Sequence, residues 1–219
     1  MIKKISERRH LAGLRILFLG YDQDQTRLCR NLIADGHELW HTTHPIVSTG
    51  GFDLAISFGY RHIIRGEPLS AGACPIVNLH IGYLPFNRGA HPNFWSYFDG
   101  TPSGVTIHLI DEGIDTGPII AQRCLDFPIA RMTFQDTYDC LINEIETMFI
   151  LRKSELLRLD FEAVPQRGPG SFHRSAQLPD AFGGWNTVIA QELARLDRIA
   201  LAGPPAPRSR ARSIAGGAG

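Results

Sequence analysis

The chain has 219 residues, of which 43% are hydrophobic and 20% are charged, so it has enough apolar side chains for a packed core and is not a disordered or fibrous protein. Its 22 lysine and arginine residues balance 22 aspartate and glutamate residues, whereas proteins that bind a nucleic-acid backbone usually carry a basic excess. No apolar run approaches the roughly 18 residues of a membrane span, and the short run after the basic N-terminus does not fit a signal peptide. We therefore expect a cytoplasmic protein that binds neither nucleic acid nor a membrane.

The chain contains four cysteines, namely Cys29, Cys74, Cys124 and Cys140. No two of them lie close in the sequence, and no CxxC motif occurs. This pattern is typical of buried, reduced thiols rather than of disulfides or a metal site.

The first part of the chain predicts strands that alternate with a helix. The apolar run at residues 14–20 predicts a buried strand that ends at Gly20. Asp22 is expected to cap a helix that extends to about Ala34, and the Asp35-Gly36 pair supplies the turn after it. Further strands are predicted at 37–42, 52–59 and 74–82. Short apolar strands around a helix indicate an α/β fold with a parallel sheet and helices on its faces.

The second part of the chain predicts two more strands and two helices. A short helix is expected after Pro92, followed by strands at 104–111 and 117–127 on either side of a glycine-rich loop. Apolar residues recur at helical spacing from Thr133 to about Leu157, which predicts a long helix. From residue 203 onward the composition cannot form a core, and we expect a disordered tail.

Two familiar motifs do not predict a metal or a nucleotide cofactor. Residues 37–41 read HELWH, but zinc peptidases present this HExxH pattern on a helix, where residues four apart share a face. Here the motif follows the turn at Asp35-Gly36, so a strand is predicted, and its two histidines would lie roughly 13 Å apart. The loop after Gly20 lacks the GxGxxG spacing of a dinucleotide site. We therefore expect no metal and no nicotinamide or nucleoside triphosphate cofactor.

Three polar residues indicate acyl-transfer chemistry. Asn78 and His80 are two positions apart at the end of a buried strand, so their side chains share a face and point into the crevice where open α/β sheets bind ligands. Asp115 follows in a loop whose glycines permit close approach of the backbone. The amide can donate to a developing oxyanion, the imidazole can move protons near neutral pH, and the carboxylate can orient the imidazole. Each residue taken alone is also compatible with a structural role.

The region around these residues resembles the folate-dependent formyltransferase family. The matching features occur in order as Asn78-Leu79-His80, Leu84-Pro85, Arg88-Gly89, Thr106-Ile107-His108 and the loop Asp111-Glu112-Gly113-Ile114-Asp115-Thr116-Gly117. The resemblance implies a mostly parallel, Rossmann-like sheet with a short C-terminal extension, and it carries the catalytic residues of the family onto Asn78, His80 and Asp115. It also implies that residues 1–160 form the catalytic domain, with 161–202 packed on it as an extension and 203–219 as a tail.

The resemblance further implies 10-formyltetrahydrofolate as the formyl donor and requires no metal. The pterin is expected between the loop after the third strand and the loop at 111–115, with contacts from Phe58, Gly59, Tyr60, Ile63, Ile64, Asp111, Gly113 and Asp115. His80 would accept the proton of the attacking amine and return it to the leaving folate nitrogen, while Asn78 and the protonated His80 stabilise the oxyanion. Arg88, Gly89 and Pro92 are expected at the acceptor, with Arg88 binding a substrate phosphate or pairing with a loop carboxylate.

Several acceptors remain open within this family. The segment with Arg88-Gly89, Pro92 and Trp95 resembles the tRNA and sugar branches of the family. A nucleotide-linked amino sugar is favoured, as in surface-polysaccharide and lipopolysaccharide O-antigen pathways, because the sugar branch combines that segment with a short chain and a region like residues 170–180. Glycinamide ribonucleotide and methionyl-tRNA are the alternatives, and the balanced charge disfavours the tRNA. A formyltetrahydrofolate deformylase is not expected, because residues 1–13 are too few for the regulatory domain such hydrolases usually carry. A non-catalytic binding module would have no use for the triad, and the choice between monomer and homodimer stays open.

Overall fold

Seven strands form one mixed sheet in the computed structural model, which describes residues 1–7, 10 and 13–202. The predicted tail at 203–219 lies outside the described residues. In chain order, the strands are β1 (Lys3–Lys4), β2 (Arg15–Gly20), β3 (Glu38–Thr42), β4 (Leu54–Phe58), β5 (Ile76–His80), β6 (Arg88–Gly89), β7 (Ser103–Leu109), β8 (Ile119–Leu125) and β9 (Phe172–His173). The large sheet has the order β1-β3-β2-β4-β5-β7-β8, and β6 and β9 form a separate pair.

Four α-helices occur in the described residues: α1 (Arg27–Ala34), α2 (Pro92–Phe98), α3 (Phe134–Arg158) and α4 (Ile189–Ala202). Two short 3₁₀ helices lie at Glu67–Leu69 and Ser175–Gln177. The predicted helices correspond to α1, α2 and α3, whereas the sequence pattern gave no expectation of α4. Within the described residues, no helix is long and apolar enough to cross a membrane.

The strand directions confirm the mostly parallel sheet. The four central strands β3, β2, β4 and β5 are parallel, while β1, β7 and β8 pair antiparallel with their neighbours. The chain leaves β2 for β3 on one side and then returns to β4 on the other side of β2. Such a reversal creates a crevice at the carboxyl ends of the strands, where ligands bind in open α/β sheets. In the same region, β7 places His108 opposite Asn78 on β5.

The two faces of the sheet are covered differently. Ile16 and Phe18 of β2 face a core that contains residues of α1 and α3, including Leu28 and Leu141. The opposite face packs mainly against loop residues and the 3₁₀ helix at Glu67–Leu69 rather than against a second layer of α-helices. The connection between β4 and β5 contains glycines and a proline, which disfavour a long helix there.

The start of α1 differs from the prediction. The N-cap is Thr26, whose hydroxyl accepts a hydrogen bond from the Leu28 amide and donates to the buried carboxylate of Glu146 in α3. Asp22 is not the cap, because its Oδ1 accepts hydrogen bonds from the amides of Asp24 and Gln25 in the preceding turn. The prediction of Asp22 as the N-cap was therefore wrong. The helix begins about one turn later in the chain, so α1 is shorter than expected.

The HELWH segment is a strand, as predicted. His41 lies on β3 and its Nε2 is 2.9 Å from the carbonyl of Gly20, at the end of β2. His37 immediately precedes β3, and its Nδ1 accepts a hydrogen bond from the Leu14 amide, before the start of β2. The two imidazoles thus contact backbone groups near opposite ends of β2, so they do not converge on one point.

The cysteine prediction holds for only part of the set. Cys29 is buried in α1 and Cys74 is partly buried, but Cys124 and Cys140 are exposed. Cys124 lies on β8, at the edge of the sheet, and Cys140 lies on the solvent side of α3. The prediction of four buried thiols was therefore wrong for these two, because spacing along the sequence does not show which side of an element faces water.

The segment after α3 packs against the end of the molecule that carries α2. Ile189 and Leu196 of α4 join a buried cluster with Phe94, Trp95 and Phe134. The short strand β9 pairs in parallel with β6, which directly follows the predicted Asn-x-His strand along the chain. These contacts bring residues 172–173 beside the carboxyl edge of the sheet.

Candidate active site

A cavity of about 640 Å³ opens at the carboxyl ends of β2, β4 and β5. This volume falls in the range of small-ligand sites, which is about 300–1,000 Å³. Its wall contains Tyr21, residues 57–64, residues 78–81, residues 89–92, His108, Ile110, Asp111, residues 113–115, Tyr138, Ile142 and residues 172–175. All three predicted catalytic residues and all eight predicted folate residues line this one cavity.

The structure brings Asn78, His80 and Asp115 together. Asn78 Nδ2 donates to Asp115 Oδ1 over 3.2 Å, and His80 Nδ1 lies 3.7 Å from Asp115 Oδ2. Asn78 and His80 point to the same side of β5 because they are two residues apart. Asp115 comes from the loop between β7 and β8, which runs beside β5 because β7 pairs with that strand.

The hydrogen bonds of His80 indicate which ring nitrogen can accept a proton. His80 is buried, and its Nε2 lies 3.1 Å from the backbone carbonyl of Asn87, which can only accept a hydrogen bond. Nε2 is therefore assigned the proton, and Nδ1, which faces Asp115, is left as the basic nitrogen. Burial lowers the pKa of His80, although the charge of Asp115 raises it in part. The imidazole is thus neutral at pH 7, and its Nδ1 can accept a proton.

Asp115 is held as a carboxylate by the groups around it. Its Oδ2 accepts a hydrogen bond of 2.8 Å from the Gly89 amide, in addition to the Asn78 contact at Oδ1. Burial by itself raises the pKa of Asp115, but His80, His108 and the Gly89 amide outweigh it and leave the pKa well below its usual value. The backbone of Asp115 has φ +52°, a left-handed conformation that is uncommon outside glycine and that recurs at functional sites.

His108 was part of the motif in the sequence but was given no role, and it completes the polar cluster. Its Nδ1 lies 2.7 Å from the Leu109 carbonyl and its Nε2 lies 3.0 Å from Asn78 Nδ2. Because Nδ1 donates to the carbonyl, Nε2 accepts from Asn78. Both hydrogens of the Asn78 amide are therefore engaged, one by His108 and one by Asp115. To donate to an oxyanion, Asn78 must release one of these two partners.

Gln166, which sequence reasoning did not identify, holds the Asp115 loop in place through hydrogen bonds. Its Nε2 donates to the carbonyls of Asp115 and Gly117 over 2.8 and 2.9 Å. Its Oε1 accepts two hydrogen bonds from the Arg88 guanidinium, of 3.1 and 2.7 Å. Gln166 lies in the irregular segment after α3, where neither hydrophobic periodicity nor a motif marks it.

These contacts also locate Arg88, for which two roles were predicted. The guanidinium binds the Gln166 amide oxygen rather than a loop carboxylate, and Arg88 is not among the residues that line the cavity. Gly89 and Pro92, the other predicted acceptor residues, do line it. The geometry assigns Arg88 to the support of the Asp115 loop, while its contact with a substrate phosphate stays a prediction without support from this arrangement.

Replacing Gln166 with methionine is expected to lower kcat by roughly ten- to a hundredfold, because two anchoring hydrogen bonds of about 1 kcal/mol each are lost. Arg88→Met removes the other half of the same network, so the double variant is expected to be no slower than the slower single variant. Steady-state kinetics of the two single variants and the double variant measure this coupling. Arg167→Ala, at an exposed neighbouring position, is the control. Additive losses, or a change in KM alone, would show that Gln166 does not position Asp115.

The predicted folate residues form the wall of the cavity next to β4. Ile63 is 60% exposed there, so it offers apolar surface to a ligand ring. Gly59 has φ +68°, and a Cβ at this position would lie 2.5 Å from the Tyr21 ring, so the close approach of the two loops requires glycine. The Asp111 carboxylate accepts hydrogen bonds from the Gly113 amide and the Thr116 hydroxyl, which fixes the facing loop. Binding of a pterin between these loops, and each of its individual contacts, stays a prediction.

Other residues of the cavity were assigned differently or not at all from the sequence. Tyr138 of α3 lines the cavity, and its hydroxyl is 2.6 Å from the hydroxyl of Tyr21. His91 has φ +55° and also lines the wall. Residues 172–175 belong to the C-terminal segment, more than 80 positions after β5 in the chain. Only the tertiary fold brings these groups to the site, so no local pattern could identify them.

Comparison with known proteins agrees with this geometry. A formyl transferase family model matches residues 45–151. The crystal structure of the formyltransferase PseJ from Anoxybacillus kamchatkensis, solved with UDP-4,6-dideoxy-4-formamido-L-AltNAc and tetrahydrofolate, is 34% identical with a TM-score of 0.71. The match covers 82% of the present chain and 97% of that chain.

Two curated relatives match over shorter stretches. The dTDP-4-amino-4,6-dideoxyglucose formyltransferase of Mycobacterium tuberculosis is 44% identical over 72 residues, which are 33% of this chain and 30% of that protein. A methionyl-tRNA formyltransferase of Thermodesulfovibrio yellowstonii is 42% identical over 136 residues, or 61% of this chain and 44% of that protein. The chain thus matches less than half the length of these curated relatives. Because the PseJ match extends over nearly all of that enzyme, the chain belongs to the formyltransferase family.

Proposed function

We propose that this protein transfers the formyl group of 10-formyltetrahydrofolate to the amine of a nucleotide-linked amino sugar. The observation that carries the proposal is the basic Nδ1 of His80 beside the carboxylate of Asp115, in a cavity large enough for two ligands to meet. The likeness to PseJ, whose structure contains a UDP-linked formamido sugar and tetrahydrofolate, supports both the donor class and the acceptor class.

The chemistry follows from the polar cluster. The donor supplies a formyl carbon, to which the neutral acceptor amine adds its lone pair while the carbonyl electrons move to oxygen. His80 accepts the amine proton at Nδ1, and Asp115 stabilises the resulting imidazolium. Asn78 donates to the developing oxyanion after giving up one of its present partners. When the bond to the folate nitrogen breaks, the imidazolium returns the proton to that nitrogen, so the proton balance closes without a metal.

Different residues of the cavity are proposed to bind the donor and the acceptor. The loop at 58–64 and the loop at 111–115 supply the apolar surface and the backbone groups for the folate donor. We assign Gly89 and Pro92, together with the segment at 172–175, to binding of the acceptor, since they line the same cavity. His80 and Asp115 also line it, and the amine would meet the formyl carbon beside them.

A methionyl-tRNA acceptor is the second candidate, because a methionyl-tRNA formyltransferase is among the relatives. Two observations favour the sugar. The 22 basic and 22 acidic residues give no excess of positive charge for a tRNA backbone. In addition, the family member matched over 97% of its length was crystallised with a nucleotide sugar.

A panel of acceptors tests the proposal. With 10-formyltetrahydrofolate as donor, we expect a 4-amino-4,6-dideoxy sugar linked to UDP or dTDP to gain 28 mass units, and His80→Ala to form this product at least about a hundredfold more slowly. Glycinamide ribonucleotide and methionyl-tRNA are assayed in parallel, and release of formate without acceptor measures deformylase activity. Far more efficient formylation of either of these acceptors, or formate release as the main reaction, would contradict the sugar assignment.

The proposal includes two finer points. The formylated sugar would serve a surface polysaccharide such as lipopolysaccharide O-antigen, as the family resemblance implies, and the reaction would take place in the cytoplasm, as expected from the sequence. The choice between monomer and homodimer is left to measurement of the mass in solution.

A further inference from the structure

The segment at 172–175 forms part of the cavity wall close to the polar cluster. Its strand β9 pairs with β6, and the Ala90 amide donates to the carbonyl of His173 over 2.9 Å. The Gly89 amide, on the same short strand as Arg88, donates to the carboxylate of Asp115. The segment is therefore connected to the site through these hydrogen bonds, and it lines the same cavity as His80.

Two arginines of the cavity have guanidinium groups without a protein partner in the described part of the chain. Arg61 and Arg174 line the cavity, and no hydrogen bond or ion pair involves either guanidinium within the described residues. Arg61 lies in the loop at 58–64, which is proposed to bind the donor, whereas Arg174 directly follows β9, the strand that pairs with Gly89 of β6. The Arg88 guanidinium is hydrogen-bonded to Gln166. Arg174 is thus the arginine next to the proposed acceptor residues whose guanidinium is available to an anion.

The neighbours of Arg174 hold its backbone in place. The His173 ring stacks on Trp95 with centroids 4.0 Å apart and an angle of 7°, and its Nε2 is 2.8 Å from Asp99 Oδ2. The Arg174 amide donates to Gln177 Oε1 over 2.6 Å. Phe172 is 42% exposed and lines the same cavity as Arg174, so it offers apolar surface to a ligand there. A nucleoside diphosphate requires a cation for its phosphates and apolar surface for its base. This segment supplies both on a backbone that is held in place.

We propose that Arg174 binds the diphosphate of the nucleotide-linked acceptor and thereby takes the phosphate-binding role that the sequence had suggested for Arg88. A guanidinium matches the geometry of phosphate oxygens and can form two parallel hydrogen bonds with them. The inference rests on the proposed function, because it assigns a residue to the diphosphate of that acceptor. It also predicts that acceptor binding depends on the segment at 172–175, which is distant in sequence from the catalytic motif.

The test measures binding of UDP and of dTDP to the full chain by isothermal titration calorimetry, so it does not depend on formyl transfer. Arg174→Ala is expected to raise the Kd of the bound nucleotide by about ten- to a hundredfold, the range for loss of a charge-assisted contact. Arg174→Lys is expected to recover part of the loss, because the charge remains but the paired geometry does not. Arg167→Ala, at an exposed arginine that does not line the cavity, is expected to leave the Kd within about twofold.

Binding of tetrahydrofolate to the same variants separates a local effect from a general one. We expect Arg174→Ala to bind tetrahydrofolate as the unaltered protein does, since Arg174 lies outside the two loops proposed to bind the donor. Equal nucleotide affinity in Arg174→Ala and in the unaltered protein would overturn the role of Arg174 and leave the proposed function intact. No nucleotide binding by the unaltered protein would contradict the proposed acceptor class as well. Equal weakening by Arg167→Ala would indicate general surface charge rather than a site.

Discussion

Replacing His80 with alanine is expected to lower kcat by about 10²- to 10⁴-fold, the range for loss of a positioned general base, while the KM for the folate donor changes little. His80 is buried with Nε2 on the Asn87 carbonyl, so its Nδ1 is the nitrogen that can take the amine proton. In the proposed binding mode the donor contacts the loops at 58–64 and 111–115, so removal of the His80 imidazole leaves most donor contacts in place. The loss should therefore fall on the chemical step rather than on donor binding.

Three measurements make this expectation specific. Steady-state kinetics with a saturating acceptor give kcat, and fluorescence titration with tetrahydrofolate gives donor affinity. Added imidazole should restore part of the activity of His80→Ala, because the truncated side chain leaves space beside Asp115, and a purely structural role would not respond to it. His44→Ala, at an exposed histidine that does not line the cavity, is the matched control. Near-normal turnover of His80→Ala would mean that another group is the base.

The fold could be predicted from the sequence where local patterns decide it. The apolar run of β2 and the helical spacing of α3 correspond closely to Arg15–Gly20 and Phe134–Arg158, because burial on both faces or on one stripe leaves a direct mark on the sequence. The start of α1 could not be placed correctly, since both Asp22 and Thr26 are residues that cap helices. The choice of Thr26 depends on Glu146, which is 120 residues away in the chain.

For the candidate site as well, residues marked by a local pattern could be predicted, and residues placed by tertiary contacts could not. Asn78 and His80 could be paired from their spacing alone, because two residues on one strand share a face. Asp115 was a candidate because it lies in a glycine-containing loop, and the family resemblance assigned it to the catalytic group and added the folate loops. Gln166 and Arg174 could not be found, because each acts through tertiary contacts made by an irregular segment with no periodicity. The role suggested for Arg88 shows the same limit, since a cation near a motif can serve a ligand or a loop, and only its partner distinguishes the two.

Replacing Asp115 with asparagine is expected to lower kcat by about a hundred- to a thousandfold. Opposite charges about 4 Å apart attract by about 4 kcal/mol at an effective dielectric constant near 20, which corresponds to roughly a thousandfold in rate when one charge develops in the transition state. The Asp115 carboxylate lies 3.7 Å from His80 Nδ1. The asparagine side chain also places an NH₂ group against the Gly89 amide or the Asn78 amide, both of which now donate to Asp115. The substitution therefore removes the charge and disturbs the alignment of Asn78.

The same substitution is expected to shift the pKa of His80, and with it the pH dependence of kcat/KM, in a defined direction. Burial lowers the pKa of His80 and the negative charge of Asp115 raises it in part, so loss of that charge should lower the pKa further. His80 must be neutral to accept a proton, and the acid limb that it contributes to kcat/KM should therefore move to lower pH in Asp115→Asn. Titration of the His80 imidazole by NMR, assigned with His80→Ala, measures this shift without interference from the amine of the acceptor. Asp126→Asn, at an exposed site, should leave the titration unchanged. A His80 pKa that rises or stays constant in Asp115→Asn would show that Asp115 does not stabilise the imidazolium, and the proposed proton transfer would then need a different partner for His80.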